Sequence, residues 1–375
     1  MNFLEHVAKA HVLKPAGVPV PASVRCASPD EAAVAFAQVG PCVVKAQVPT
    51  GKRGKAGGIK KADSAEEASR AAAAILGMTI DGHKVESVLL EKRAAIAREL
   101  YAAVMTDFPA AQPLILFSTE GGMDIEEVAA TRPDALRRLH VALSKGLTRG
   151  DVEAMLDGLD LGAARTAIAD TLAKLYNAYR ETDAELIEIN PLAILEDGSL
   201  AALDCKLTID DASAERQREL TALAAPEKLT ELEARARDAG LKFIELDGDV
   251  GLLANGAGLT MTTMDVIAHF GGRPANFLEI GGEAYTKSET ALGLVLSHRQ
   301  VKSLVVNFCG AFARTDVMAD GVTAAWKKLN PSLPVFFSVH GTGEDEAVAM
   351  IRERLGIEPY DFMEDAVKAA VEAAK

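Results

Sequence analysis

The chain has 375 residues, 49% of them hydrophobic, enough for a large core and for two or three domains rather than one. Its formal charge of −14 argues against broad attraction to nucleic acid or anionic lipid, because phosphate groups would be repelled over most of the surface. There is no uninterrupted apolar run of the roughly eighteen residues that a membrane span needs and no basic segment leading into an apolar signal core, so no membrane association and a cytoplasmic location are expected. Cys26, Cys42, Cys205 and Cys309 are scattered without the C-x-x-C spacing of a zinc or redox site, and most of them read as small core residues in a reducing compartment.

In chain order, Phe3 to Leu13 carries apolar residues at helical spacing, and Pro15 and Gly17 end that helix. Cys42 to Val48 reads as a short β-branched strand holding Lys45, where an unpaired ammonium is expensive and wants an anion. The loop after it completes "KAQVPTGKRGKAGGIKK" (Lys45–Lys61), a run of cations and four glycines with no acid. Backbone N–H groups and cations in such a loop suit phosphate. Its spacing is not that of a Walker A motif, so a P-loop fold is disfavoured, and a solvated basic turn is the competing reading. "SAEEASRAAAAIL" predicts a helix with Ser64 as N-cap and Glu67 at the capping-box position. "SVLLEK" and "ELYAAVMTD" read as strands.

Helical patterns dominate from Arg132 to Tyr179, a hairpin follows from Ala184 to Leu207, and Ser213 to Gly240 reads as a charged, partly helical connector. The domain boundary is placed near Gly240, giving domains 1–239 and 240–375. In the second, "VGLLAN", "NFLEI", "SLVVNF" and "PVFFSV" alternate with helical stretches. That β-α alternation predicts a parallel, doubly wound sheet.

The hairpin "IEINPLAILEDGSLAALDCKL" carries the sharpest chemistry. A three-residue turn, Glu196-Asp197-Gly198, puts glycine where the left-handed conformation is needed. If Leu195 then faces Ser199, Asn190 lies opposite Asp204 and Glu188 opposite Lys206, all on one face. A carboxylate plus an amide oxygen, with room for water and substrate phosphates, is what magnesium takes from a protein. The plain alternative is the solvent-facing side of an ordinary hairpin. In the second domain, Gly310 to Ala313 and then Arg314, Thr315 and Asp316 lie where a strand ends and a helix begins, so free N–H groups and the helix dipole suit an anion. Ligands also gather at the carboxyl ends of strands in such sheets. Asn255 and Gly256, read alone, are a strand-end turn.

Taken together, these segments resemble the β subunits of the succinyl-CoA synthetase group, ADP- or GDP-forming acid:CoA ligases with an ATP-grasp nucleotide domain. The resemblance covers nearly the whole chain. "MNFLEHVAKAHVLKPAGVPVP", "VVKAQVPTGKRGKAGG", "STEGGMDIEEVA", "EINPLAI" and "LDCKLTIDD" are similar to the first-half signatures. "NGAGLTMTTMD", "PANFLEIGGEA" and "VVNFCGAFARTDVMADGV" are similar to those of the second half. It implies an N-terminal ATP-grasp domain and a C-terminal flavodoxin-like domain. It also implies that Lys45 and the Lys52-Arg53-Gly54 loop meet nucleotide phosphates, that Glu91 and Glu99 are nucleotide-contacting acids, and that Asn190 and Asp204 hold Mg²⁺. Glu188 matches a glutamate that steadies a phosphohistidine loop supplied by the partner α subunit. Asn255 and Ala311-Phe312-Ala313 match contacts to the carboxylate substrate. ATP or GTP, Mg²⁺ and coenzyme A are the implied cofactors and co-substrates.

Departures from the family pattern cluster at the acid end. "GAFA" replaces two glycines and an aliphatic pair, Glu283 stands for a glycine, Lys52 replaces a glycine in the basic loop, and "SVHGTGEDE" removes a cation and introduces His340, itself read as an ordinary loop residue. A small carboxylic acid other than plain succinate is therefore expected. The competing readings are an ATP-grasp ligase that does not use CoA and a catalytically silent nucleotide-binding regulatory subunit.

Overall fold

The computed structural model describes residues 1–280 and 286–375; Glu283 lies outside the described residues. The chain divides into two compact units, Met1–Glu227 and Lys228–Lys375.

The first unit opens with a helix that is α over Glu5–Ala8 (α1) and widens to i→i+5 bonding over Lys9–Leu13, where Lys14 N–H reaches the Lys9 carbonyl at 2.9 Å. Its buried face holds Val7, Ala8, Val12 and Leu13, and with them Glu5 and Lys9. Strands β1 (Ser23–Cys26), β2 (Cys42–Ala46) and β3 (Ile59–Ala62) join a later strand in a small sheet, and the helices α2 (Pro29–Val39) and α3 (Ala65–Ile75) pack against it through alanine-rich faces. Ser64 caps α3, its hydroxyl accepting from Glu67 N–H. The Glu67 carboxylate takes the N–H of Asp63 at 2.7 Å, one residue earlier than a reciprocal capping box requires. After the short pair β4 (Thr79–Ile80) and β5 (His83–Lys84) comes β6 (Val88–Lys92), which completes the small sheet in the order β1-β6-β2-β3.

The larger sheet of this unit contains β7 (Ile96–Asp107), β8 (Gln112–Ser118), β9 (Leu136–His140), β10 (Ala184–Leu195), β11 (Leu200–Ala202) and β12 (Lys206–Ile209). Its order is β11-β10-β7-β8-β9, with β12 also paired to β10, and every pairing is antiparallel. Helices α4 (Ile125–Thr131), α5 (Arg149–Met155) and α6 (Arg165–Glu181) lie between these strands in sequence. Helix α6 packs Ile168, Leu172, Leu175 and Tyr176 into the same core as Leu100, Ala102 and Val104 of β7. The expected helical dominance from Arg132 to Tyr179 needs correction, since β9 is a strand within it. "LRRLH" has too few apolar residues to declare a period, and its pairing with β8 decides its conformation. A short helix, α7 (Arg218–Thr221), precedes the end of the unit.

The second unit starts with α8 (Glu231–Asp238), ahead of the boundary expected near Gly240. A reciprocal capping box of Thr230 and Glu233 begins this helix, and Leu232 and Ala236 join the core of the second unit, which fixes the helix as part of that unit. Then come β13 (Phe243–Glu245), β14 (Val250–Ala254), α9 (Ala257–His269), β15 (Asn276–Leu278), α10 (Ser288–Ser297), β16 (Ser303–Gly310), α11 (Thr315–Leu329), β17 (Val335–Gly341), α12 (Glu344–Leu355) and α13 (Met363–Ala373). Strands β14, β16 and β17 form a parallel sheet, and β15 lies beside β14 through the parallel bridge Ala254–Glu279 while pairing antiparallel with β13. Leu304, Val306 and Phe308 of β16 face the core shared with α10, α11 and α12, whereas Val305 faces the one built with α9 and α13. Burial on both faces makes these strands continuous apolar runs, as parallel strands require.

At the carboxyl ends of β16 and β17 the backbones touch. Gly341 has φ +95°, and a Cβ there would lie 2.1 Å from the Gly310 carbonyl oxygen. Thr342 N–H donates to the Gly310 carbonyl at 3.1 Å and Thr315 N–H to the Thr342 carbonyl at 2.9 Å, which ties the two strand-end loops into one surface.

Candidate active site

The turn at Gly198 (φ +82°) sets the predicted register: Leu195 N–H donates to the Ser199 carbonyl at 2.8 Å and Glu188 pairs with Lys206. Asn190 and Asp204 consequently come to the same cleft, a space of about 120 Å³ lined also by Glu5, Lys52, Arg53 and Glu188. Five of the residues singled out from sequence thus meet at one place. Gly54, Lys45, Glu91 and Glu99 do not line it.

Behind the cleft lies a buried ionic cluster that explains Lys45. Its Nζ reaches Glu5 Oε1 at 3.0 Å and Glu91 Oε1 at 2.7 Å, and it also donates to the Leu203 carbonyl. Lys9 Nζ donates to Glu5 Oε1 at 2.6 Å, to Glu91 Oε2 and to the Leu203 carbonyl at 2.9 Å. Arg53 closes the set, touching Glu5 Oε2 at 2.7 Å, Asp204 Oδ1 at 2.6 Å and the Ala46 carbonyl at 2.9 Å. The three cations Lys9, Lys45 and Arg53 are matched by the carboxylates Glu5, Glu91 and Asp204. The anion that Lys45 wants is therefore supplied from within the chain, and Glu91 is committed to the same contacts.

Electrostatics reflect this pairing. Burial by itself pushes the Glu5 carboxyl upward, but Lys45, Lys9 and Arg53 outweigh it and hold it well below the usual carboxylate range. Burial likewise works against the Lys45 ammonium, and Glu5 and Glu91 overcome it, keeping the amine charged. Sequence reasoning missed Glu5 and Lys9. The available signal was an acid and a base four residues apart on the apolar face of the first helix, where charges are unusual unless paired.

Around the cleft, each predicted group has a defined setting. Asp204 Oδ1 accepts from Arg53 and from Cys205 N–H at 2.7 Å, while Oδ2 makes no hydrogen bond with any described residue. Asn190 Oδ1 accepts from Gly122 N–H at 2.8 Å and its Nδ2 donates to the Met123 carbonyl at 2.8 Å, so the amide clamps the Gly121–Asp124 segment. Lys52 sits at φ +59°, a left-handed position where glycine is unstrained, and its Nζ meets Asp124 Oδ2 at 3.2 Å. Glu99 is exposed at the start of β7, where its carbonyl accepts from Gly121 N–H at 3.1 Å.

Glu188 accepts from the Tyr101 hydroxyl at 3.2 Å, and burial raises its carboxyl above the ordinary glutamate value despite Lys206 and Tyr101. A carboxyl raised on folding stabilises the native state below the unfolded value and loses that contribution as pH rises through the folded one. Glu188→Gln is therefore expected to be neutral or stabilising, by up to about 1 kcal/mol, at pH 7. That advantage shrinks toward pH 4, as urea unfolding at the two pH values will measure.

An ion at this cleft would have to fit oxygen donors. Among the described residues no group of three or more His, Cys, Asp or Glu side chains converges on a metal. Asp204 with an uncommitted oxygen beside Asn190 suits a hard cation that keeps water and substrate oxygens as its other ligands, which is the habit of magnesium.

In the second unit, Asn255 extends the sheet by side chain. Its Nδ2 donates to the Cys309 carbonyl and its Oδ1 accepts from Cys309 N–H, each at 2.8 Å, continuing the β14–β16 ladder by one rung. Ala311 and Phe312 are exposed on the adjoining loop, and Phe312 has no cover at all. Arg314 is committed to Asp316 at 2.9 Å.

Comparison with known proteins agrees with this layout. A family model described as the ATP-grasp domain matches residues 2–194, and one described as CoA-ligase matches residues 253–372. The chain is 43% identical to the succinate–CoA ligase (ADP-forming) subunit beta of Rubrobacter xylanophilus over 100% of its length and 99% of that protein. It is 40% identical to the same-named subunit of a Roseiflexus species, with full coverage of both. ATP citrate lyase of Methanothrix soehngenii, solved with citrate and coenzyme A, shares the fold at a TM-score of 0.76 and 22% identity over 99% of each chain. An ATP-grasp domain is thus followed by a CoA-ligase domain with a parallel sheet, and the chain belongs to the succinate–CoA ligase (ADP-forming) β-subunit family of acid–thiol ligases.

Proposed function

We propose that this chain is the nucleotide-binding β subunit of an ATP-dependent carboxylic acid:CoA ligase, working with an α subunit that supplies a phosphohistidine and most of the CoA site. The observation that carries the reading is the convergence of Lys52, Arg53, Glu188, Asn190 and Asp204 on one cleft in a chain of this family. A second space of about 520 Å³, lined by Pro19, Val20, Pro21, Lys92, Arg93 and Ala94, borders the connection between β6, which contains Glu91, and β7, which contains Glu99. Its size and apolar walls suit a purine base, ATP or GTP, with the phosphates directed to the glycine-rich loop.

In this reading Lys52 and the loop N–H groups hold the phosphate chain. Arg53 acts indirectly, keeping the Asp204 carboxylate oriented. Asn190 and Asp204 would hold Mg²⁺, which when bound would supply positive charge to offset that of the phosphates. Glu188, half-buried and bonded to Tyr101, accepts an N–H of the incoming histidine and aims its other ring nitrogen at the γ-phosphorus. In-line transfer then breaks the β–γ bridge and forms an N–P bond, so positioning supplies most of the catalysis. The acid's carboxylate takes the phosphoryl group as an acyl phosphate, and the CoA thiolate displaces phosphate to leave the thioester. For the acid, the reading assigns Asn255 and Ala311-Phe312-Ala313, with a substrate other than plain succinate and a cytoplasmic setting.

The test is co-purification with an α-type chain bearing the histidine, and then ATP- and CoA-dependent phosphate release across small dicarboxylic, hydroxy and sulfur-containing acids. Turnover with one acid well above succinate is the expected result. Succinate as the best substrate would refute the substrate assignment, and acid-independent silence of the partner's histidine would refute the nucleotide site. Phe312→Ala should leave stability within about 0.5 kcal/mol, because the ring covers nothing in the second unit. The same change is expected to alter KM for the preferred acid by about tenfold or more, with KM for nucleotide unmoved.

A further inference from the structure

We propose that Glu5 is a positioning residue for the cation at Asp204, acting through Arg53. This role rests on the reading of Asn190 and Asp204 as the Mg²⁺ site, and it is filled from the first helix, far from both residues in sequence.

Glu5 is placed by ties on both sides of its position in the chain. Ahead of it, Phe3 N–H donates to the Leu207 carbonyl at 3.2 Å and Ile209 N–H to the Met1 carbonyl at 2.9 Å, so the chain enters α1 alongside β12, just past Asp204. Behind it, His6 N–H donates to Gln47 Oε1 at 3.0 Å, which joins the helix to the start of the glycine-rich loop. Arg53 is fixed from within that loop. Its carbonyl accepts from Gly58 N–H at 2.9 Å, and a Cβ at Gly58 would lie only 3.1 Å from the same oxygen.

The guanidinium works as a fork between the two carboxylates. Nη1 forms an ion pair with Glu5 Oε2 at 2.7 Å and donates to the Ala46 carbonyl at 2.9 Å, while Nη2 donates to Asp204 Oδ1 at 2.6 Å. Three fixed acceptors leave a planar group little freedom to turn, so Asp204 Oδ1 has a set direction. Cys205 N–H holds the same oxygen at 2.7 Å, which leaves Oδ2 for the cleft.

Charge matters as much as direction. The side chains of Glu5 and Arg53 are 1% and 4% exposed, against 36% for Asp204. A guanidinium buried to that degree and paired with Asp204 alone would cancel much of the negative charge that a cation needs there. Glu5 offsets part of that positive charge, so Asp204 keeps its own for the ion. The other oxygen, Glu5 Oε1, meets Lys9 and Lys45. The tie to Arg53 and the ties to the lysines thus leave from different atoms of one carboxylate, and variants can separate them.

The test titrates Mn²⁺ into the full-length chain with saturating ADP and reads the free ion by electron paramagnetic resonance. Glu5→Gln should raise the Mn²⁺ Kd about tenfold or more, the loss expected when a group that orients a metal ligand is removed. Arg53→Lys, which keeps the charge and loses the fork, should weaken Mn²⁺ similarly, and the double variant no further, because the two residues act in series. Lys9→Met disturbs the same cluster at Glu5 Oε1 and should not weaken Mn²⁺ once the folded fraction is taken from urea curves; a merely structural role for Glu5 predicts that it does. Where Glu5→Gln does not fold, Glu5→Asp keeps the charge but draws it back from Arg53 by one methylene, and a smaller loss in the same direction is expected. With Asp204→Asn weakening Mn²⁺, an unchanged Kd in the Glu5 variants or additive losses in the double variant would overturn the proposal. If Asp204→Asn leaves Mn²⁺ binding unchanged, the metal reading itself falls, and the role of Glu5 with it.

Discussion

Lys9→Met is expected to cost the first unit about 3–5 kcal/mol, the loss seen when one partner is taken from a buried, hydrogen-bonded charge set. Methionine matches the length of lysine but removes three donors at once, those to Glu5, Glu91 and the Leu203 carbonyl. Two cations then face Glu5, Glu91 and Asp204, and the excess negative charge has little water to dissipate into, since Glu5 and Glu91 are each 2% exposed. The measurement is urea unfolding at pH 7 with two reporters. Tyrosines 101, 176 and 179 lie in the first unit, whereas Trp326, the single tryptophan, lies in the second. The part of the tyrosine transition that comes from the first unit should move to lower urea, while the part from Tyr285 and Tyr360 and the tryptophan transition stay in place. A change below about 1 kcal/mol would mean that the cluster is no more valuable than a surface ion pair.

Asp204→Asn should reduce nucleotide-dependent phosphorylation of the partner's histidine by at least about a hundredfold, more than the loss of a group that merely supports a metal ligand. It should also raise the Mg²⁺ concentration needed for half-maximal rate. Folding is expected to change by only about 1 kcal/mol. The Asp204 side chain is 36% exposed, and Arg53 keeps Glu5 and the Ala46 carbonyl after the charge is gone. A variant that lost stability and activity together would place Asp204 with the structural cluster. An unchanged Mg²⁺ requirement would remove it from the metal site.

The hairpin shows which part of the site could be read directly. Asn190, Asp204, Glu188 and Lys206 are close in sequence and joined by a turn whose glycine requirement sets the register, so counting from Gly198 suffices to pair them. The basic loop was equally legible in composition, but its members separated on folding. Arg53 turned inward to Glu5 and Asp204, while Lys52 remained 70% exposed beside Asp124. Lys45 showed that a buried cation needs an anion without showing where the anion lies. The nearest candidates in the folded chain were Glu5, forty positions earlier, and Glu91, forty-six positions later.

Strand β9 went astray for a related reason. "LRRLH" has no strong local preference, and its neighbour β8 makes it a strand. Helix α8 has a clear capping box, but only the burial of Leu232 and Ala236 assigns it to the later core.

By itself the sequence determined the alternation of elements, the parallel character of the second sheet, the hairpin register and the family to which the chain belongs. Each of these rests on local periodicity, turn chemistry or ordered motifs. Tertiary structure alone decided that Glu5 and Lys9 complete the charge of Lys45 and Glu91, that Asn190 clamps the Gly121–Asp124 segment, and that Asn255 extends the second sheet through Cys309. Those pairings depend on which distant backbones come within a few ångströms, and no local preference of the chain carries that information.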